Sequence, residues 1–287
     1  MVPVIRSAAF TSDPSGGNPA GIVLDASEFT DLEMQGLATA VDYAETAFVT
    51  GADADGVSIR YFSPVAEVPF CGHATIATAI ALVERGLRAP GDLTFRTPVG
   101  PVLLRTARIG GRIRAAFTSV EPSVEAMPPA DLAELLALIG LTEPDLSADM
   151  PPALAFAGNV HPLLVLSDRR AFDTFAFDPD AARILMDAHG WPATITVLHG
   201  SAADGLVARN IFPVGRITED PATGSAAAAV GAYLRALDLV EAPATIEIRQ
   251  GAHVGRPSLL TVEIPRSGGI TVSGTAVELP DPTESRL

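Results

Sequence analysis

Two stretches of the chain, residues 74–83 and 226–234, carry no charged side chain, and threonine and tyrosine are their only strongly polar groups. A helix that is apolar on every face has to be buried on every side. Both runs are well short of the roughly 18 residues that a membrane span needs, so the covering has to come from protein. Strand-like segments supply it, at residues 2–10, 22–24, 45–49, 57–62, 93–96, 102–107 and 113–117, then at 163–166, 194–198, 245–249, 259–264 and 270–272. Helical spacing is confined to residues 31–41 and 131–139 besides the two apolar runs. The pattern predicts an α+β protein of two similar lobes, each a strongly twisted, mostly antiparallel sheet wrapped around a central apolar helix. Pro122, Pro128 and Pro129 mark residues 118–129 as the linker. The lobes are therefore expected at 1–118 and 119–267, with a C-terminal strand at about 268–287 returning to the first lobe and the active site in the cleft between them.

Each apolar run is approached in the same way. Phe62-Ser63-Pro64 leads into Cys71-Gly72-His73, and Phe212-Pro213 leads into Asp220-Pro221-Ala222-Thr223-Gly224-Ser225. Gly72 and Gly224 lie 152 positions apart (224 minus 72), about half the chain, as a duplicated unit would place them. Helix starts carry unpaired backbone N–H groups and the positive end of the dipole, so two of them facing one cleft form a receptor for a small carboxylate. The polar residues gather there: His73 in one lobe, and Asp220, Thr223 and Ser225 in the other.

Composition narrows the chemistry. Of 287 residues, 34 are acidic and 19 basic, for a net charge of −15, which argues against nucleic acid and anionic membrane as partners. All 19 basic residues are arginine, and without lysine no Schiff base to pyridoxal phosphate or to a carbonyl substrate can form. The single Cys71 excludes an internal disulfide, a metal site built from cysteines, and a racemase that needs two thiols. His161, His189, His199 and His253 show no metal-ligand spacing and read as surface or structural, so neither metal nor cofactor is expected. With no basic segment followed by an apolar one at the start, the expected location is the cytoplasm.

Glu45, flanked by Ala44, Thr46, Ala47 and Phe48, reads either as a solvated acid at a strand start or as a carboxylate whose lost hydration raises its pKa toward the range useful for proton transfer. Asp220 before Pro221 is a sufficient helix N-cap arrangement, and a substrate-holding role is compatible with it. Gly224 and Ser225 are read as N–H and O–H donors to a substrate carboxylate. No G-x-S-x-G elbow surrounds Ser225, so it is not read as a nucleophile. Gly72 allows close backbone approach, Asn18 shapes the loop at the cleft mouth, and Cys71 reads as a small buried residue.

Five motifs in order resemble the PhzF-like isomerases of phenazine biosynthesis: Phe10-Thr11 with Gly17-Asn18-Pro19-Ala20-Gly21; Glu45 to Val49; Phe62-Ser63-Pro64 with Glu67 to Thr75; Glu219 to Ala226; and Gln250-Gly251 with Gly255-Arg256-Pro257-Ser258. The resemblance implies a diaminopimelate-epimerase-like fold, a homodimer, and a cofactor-free isomerase that moves a proton on a small carboxylate substrate. It also implies that Glu45 is the acid/base, with His73, Asp220 and Ser225 around the substrate. Two alternatives stay open: a two-base epimerase using Glu45 with His73 or Asp220, and a non-catalytic small-molecule-binding protein on the same fold.

Overall fold

The computed structural model describes residues 3–214 and 217–280. They divide into two units, one made of the residues up to Thr118 and those from Ser273 onward, the other of Ser119–Val272. In the first unit β1 (Ile5–Ala9) pairs antiparallel with β2 (Asn18–Val23), and α1 (Asp31–Val41) carries the chain back so that β3 (Glu45–Ala52) lies parallel to β2. A capping box fixes the start of α1, with Thr30 and Glu33 each satisfying the other's backbone N–H. β4 (Val57–Phe62) returns antiparallel to β3 and receives two partners, β5 (Glu67–Val68) at Tyr61 and Phe62, and β6 (Gly91–Thr97), in parallel, at Val57 and Ser58. Between those two comes α2 (Gly72–Glu84), and β7 (Gly100–Ile109) and β8 (Arg112–Thr118) extend the sheet beyond β6.

The second unit opens with β9 (Ser123–Ala126), inside the stretch expected to be linker, followed by α3 (Pro129–Ile139). β10 (Ala153–Phe156) pairs with β9 and β11 (Val160–Leu166). Two helices absent from the sequence reading, α4 (Arg169–Thr174) and α5 (Pro179–His189), then return the chain to β12 (Ile195–Ser201), parallel to β11. β13 (Gly205–Val214) follows antiparallel, and it too takes two partners, β14 (Ile217–Asp220) and the parallel β15 (Ala244–Gln250), with α6 (Gly224–Ala236) between them and β16 (Ser258–Ile264) beyond. β17 (Thr271–Gly274) crosses the boundary between the units, and β18 (Ala276–Glu278) pairs with the free side of β1 in the first unit. The succession β1 to β7 with α2 is thus repeated in β10 to β16 with α6, so the duplication read from two glycines extends to strand order and direction.

Burial explains the charge-free runs. Every residue of α2 from His73 to Val83 is buried, against β1, β2, β3, β7, β8 and β18. α6 is buried from Ala226 to Leu234 against β9, β10, β11 and β16. Its alanines and Gly231 permit close approach: a Cβ at Gly231 would meet Val262 and Ile270 side-chain carbons at 2.8 Å. Among the described residues no helix is long and apolar enough to cross a membrane.

Candidate active site

In the first unit the ends of three elements converge. Ala20, two residues into β2 from Asn18, pairs with Glu45 at the start of β3, which brings Asn18 and Glu45 to the same end of the sheet as the start of α2. The Glu45 side chain keeps 15% exposure, and its Oε2 lies 3.5 Å from His73 Nε2 and 3.4 Å from Cys71 Sγ. Cys71 Sγ is also 3.3 Å from His73 Nδ1, which in turn is 3.1 Å from Asn18 Nδ2. Burial pushes the His73 imidazole down to about 4, only partly opposed by the hydrogen bond of a ring N–H to the Pro19 carbonyl. At neutral pH the ring is uncharged, so its approach to Glu45 is a contact between a carboxylate and a neutral imidazole and not an ion pair. Thr75 Oγ1 donates to the Cys71 carbonyl at 2.7 Å, tying the first turn of α2 to Cys71, which caps the helix with no side-chain hydrogen bond. The first N–H groups of the helix therefore have no side-chain partner from its N-cap.

In the second unit Asp220 does not cap a helix, contrary to the sequence reading. It ends β14, and α6 begins only at Gly224 after Thr223. The Asp220 carboxylate instead accepts from Thr223 Oγ1 at 2.5 Å. Gln250 clamps the turn between them, its amide nitrogen donating to the Asp220 carbonyl at 2.7 Å and to Thr223 Oγ1 at 3.0 Å, while its amide oxygen accepts from the Thr223 N–H at 3.2 Å. Gly251, at φ +79°, holds the same turn from behind: a Cβ there would lie 2.5 Å from the Pro221 carbonyl oxygen and 2.3 Å from that of Arg256, and backbone cannot yield to it. Upstream, Glu219 forms a buried ion pair with Arg209, whose other nitrogen donates to the Phe172 and Phe175 carbonyls at 3.0 Å each.

Ser225 is bound differently from expectation. His161 is fully buried, and its Nδ1 lies 3.0 Å from the Thr194 carbonyl oxygen and from Thr194 Oγ1. A carbonyl only accepts, so Nδ1 carries the proton and Nε2 is bare. Ser225 Oγ, 3.0 Å from Nε2, therefore donates its proton to His161, which leaves the oxygen only its acceptor capacity. The O–H that the sequence reading assigned to a substrate carboxylate is here directed at His161. Burial pushes His161 too down to about 4, with the Thr194 bond opposing it in part. Beyond it, Thr194 and Thr196 both donate to Asn210 Oδ1, at 2.8 and 2.5 Å.

Comparison with known proteins gives the family. The phenazine biosynthesis-like protein family matches residues 7–281. The chain belongs to that family. Among its relatives is the trans-2,3-dihydro-3-hydroxyanthranilate isomerase of Pseudomonas aeruginosa, 32% identical, with 93% of each chain covered. Another is an uncharacterised isomerase, YfhB, of Bacillus subtilis, 30% identical over 96% of this chain and 95% of the relative. A solved PhzF-family structure from Bacillus anthracis superposes with a TM-score of 0.83, at 27% identity and 96% coverage of both chains. This PhzF-like protein is an isomerase with the diaminopimelate-epimerase-like fold.

Of the residues read from the sequence, the PhzF-like chain gathers Asn18, Glu45, Gly72 and His73 in its first unit and Asp220, Gly224 and Ser225 in its second. Cys71 is buried as expected, but it also touches both Glu45 and His73. His161 and Gln250 were missed as site residues. A histidine in an otherwise apolar strand, Val160 to Leu166, was the available signal for the first, and Gln250 before a left-handed glycine for the second. Three other histidines are structural: His189 bonds Glu134 and stacks on Trp191, His253 bonds Asp173, and His199 bonds the Leu166 carbonyl.

Proposed function

We propose that this chain catalyses a proton shift on a small unsaturated carboxylate without metal or organic cofactor, with Glu45 first as base and then as acid. The observation that carries the reading is the Glu45 carboxylate itself, largely withdrawn from water, still partly exposed, and set against a neutral imidazole and a thiol. A carboxylate at such a place, in reach of a ligand and beside uncharged groups, is suited to exchange a proton with one. His73 and Cys71 orient it, and the N–H groups at the start of α2 stabilise negative charge as it develops. In the second unit the N–H groups of Gly224 and Ser225 at the start of α6 suit a carboxylate, and Asp220, steadied by Thr223 and Gln250, suits a polar group beside it. A single base is favoured over a Glu45–His73 pair because the two lie side by side at 3.5 Å, and two-base inversion needs groups on opposite faces of one carbon.

The test is isomerisation in deuterated water, followed by NMR, over a panel of small cyclic and acyclic unsaturated carboxylates headed by trans-2,3-dihydro-3-hydroxyanthranilate, the compound in the relative's name. Glu45→Gln keeps size but takes no proton, and turnover should fall by roughly 10²- to 10⁴-fold with ligand affinity little changed. Retained turnover in Glu45→Gln would remove the assignment. Label fixed quantitatively in every product molecule, independent of Glu45, would establish the two-base epimerase instead.

A further inference from the structure

The first unit places three different metal-ligating chemistries in one buried cluster. A carboxylate oxygen of Glu45, the sulfur of Cys71 and a ring nitrogen of His73 all lie within 4.8 Å of one another. Their separations can be compared with what a cation requires. Tetrahedral zinc, with Zn–S about 2.3 Å and Zn–N and Zn–O about 2.0–2.1 Å, sets donor-to-donor edges of about 3.5 Å from sulfur to either light atom and about 3.3 Å from nitrogen to oxygen. The protein holds Cys71 Sγ 3.4 Å from Glu45 Oε2 and 3.7 Å from His73 Nε2, and Nε2 3.5 Å from Oε2. All three edges match to about 0.2 Å, the tolerance appropriate to such a site.

We propose that Glu45, Cys71 and His73 form a binding site for a soft divalent cation, zinc above all, with the fourth position left to water. Sulfur and imidazole favour zinc over magnesium or calcium. On binding, the Cys71 thiol loses its proton to solvent and the sulfur–metal bond forms, so thiolate and carboxylate together balance the two charges of the ion. That neutrality suits a cluster this withdrawn from water. As the pair stands, Asn18 Nδ2 donates to His73 Nδ1 at 3.1 Å and the ring proton is left on Nε2. The ion takes Nε2 once that proton moves to Nδ1 and the Asn18 amide turns to accept it through Oδ1, the outer-shell contact that metal-bound histidines use. The mixed donor set also explains why cysteine counting in the sequence does not find it. Binding needs nothing from the proposed chemistry. Its consequence does rest on that reading: a carboxylate coordinated to zinc cannot exchange protons, so zinc acts here as a reversible inhibitor.

The experiment is a cobalt(II) titration of the metal-free full-length protein, read by absorbance. Cys71 is the chain's only cysteine, so any thiolate-to-cobalt charge-transfer band reports this site. The expected result is such a band saturating at one equivalent, together with the intense visible bands of a four-coordinate ion, and both bleached by stoichiometric zinc(II). Cys71→Ser should lose the band and weaken zinc binding at least about tenfold, while His253→Gln changes neither. Should Cys71→Ser lose its native circular dichroism, Glu45→Gln serves instead, with the charge-transfer band kept and zinc binding weakened by a similar factor. No band at saturating cobalt, or zinc affinity unchanged in every cluster variant that folds, would overturn the site. Cobalt bound at the cluster with isomerisation undiminished would leave the site standing and remove the acid/base role of Glu45. The absence of binding in an enzyme that still depends on Glu45 would do the reverse.

Discussion

The two units carry the same joint between strand and helix, and they fill it with different chemistry. In the first, Asn18 at the start of β2 reaches the second residue of α2, His73, at 3.1 Å. In the second, His161 near the start of β11 reaches the second residue of α6, Ser225, at 3.0 Å. The histidine has changed sides of the joint. The register agrees: Ala20, two residues after Asn18, pairs with Glu45, and Leu163, two residues after His161, pairs with Thr196. Where the first unit has a partly exposed carboxylate, the second has a threonine that is 1% exposed and donates to Asn210. One joint is left chemically open, and the other is closed into a buried hydrogen-bonded chain from Ser225 through His161 to Thr194 and Asn210. Duplication supplies two equivalent backbone frames, and the side chains decide that only one places a partly exposed carboxylate at this register position.

The strongest way to break this comparison is to exchange the roles at the matched register positions. Glu45→Gln should remove about 10²- to 10⁴-fold of turnover while leaving stability near wild type. Thr196→Val should leave turnover largely intact and cost about 1 kcal/mol of stability, because Asn210 Oδ1 keeps its second donor in Thr194. Urea unfolding and initial rates on both variants decide it, and equal losses of turnover would mean the second joint is as reactive as the first. A second large effect belongs to the second unit alone. Glu219→Ala strands Arg209 inside the protein, and the unfolding free energy should fall by about 3–5 kcal/mol. A loss below about 1 kcal/mol would show the pair to be solvated.

Acid sharpens the comparison at intermediate size, since both joints contain a histidine held uncharged. In each the folded-state pKa is depressed, from 6.5 to about 4. The stability it contributes is fully present above the unfolded value of about 6.5 and is lost as pH falls toward 4, up to about 3 kcal/mol per histidine. His73→Gln and His161→Gln should each flatten the stability profile between pH 6.5 and 4, and the double variant should flatten it most. A profile unchanged by either substitution would place the protonation elsewhere. The smallest effect is Ser225→Ala, which leaves His161 Nε2 without its donor and should cost about 1–2 kcal/mol of stability. If the variant also weakens binding of ligands that offer an N–H or O–H group more than of ligands that lack one, the acceptor role of the serine is supported. Equal weakening of both kinds would count against it.

Much of the frame was legible because it rests on periodicity and on charge. A helix with no polar face has only one solution, so the central helices follow from residues 74–83 and 226–234 directly. What escaped depends on pairing. β9, among prolines and acids, is a strand because β10 offers it a partner, and Asn18-Pro19 looks like a turn until β1 aligns beside it. The Asp220-Pro221 dipeptide has the form of a helix start, but the Gln250 clamp holds it in a turn, a contact from 30 residues away. The direction of the Ser225 proton was hidden for a similar reason. It is set by the Thr194 carbonyl just ahead of β12, and no local pattern encodes which nitrogen of a histidine is bare.

The pairing of β18 with β1 ties the order of synthesis to the order of folding. A chain growing from its N-terminus leaves one edge of β1 open until residues 276–278 have emerged, when the Ser7, Ala8 and Ala9 positions find their partners. The second unit, contained in Ser119–Val272, has all its own strands sooner. The first unit, which holds Glu45, is therefore begun first and finished last. An unpaired strand edge is a template for wrong partners. Loss of residues 276–278 thus strikes at β1, more than 260 positions earlier in the chain.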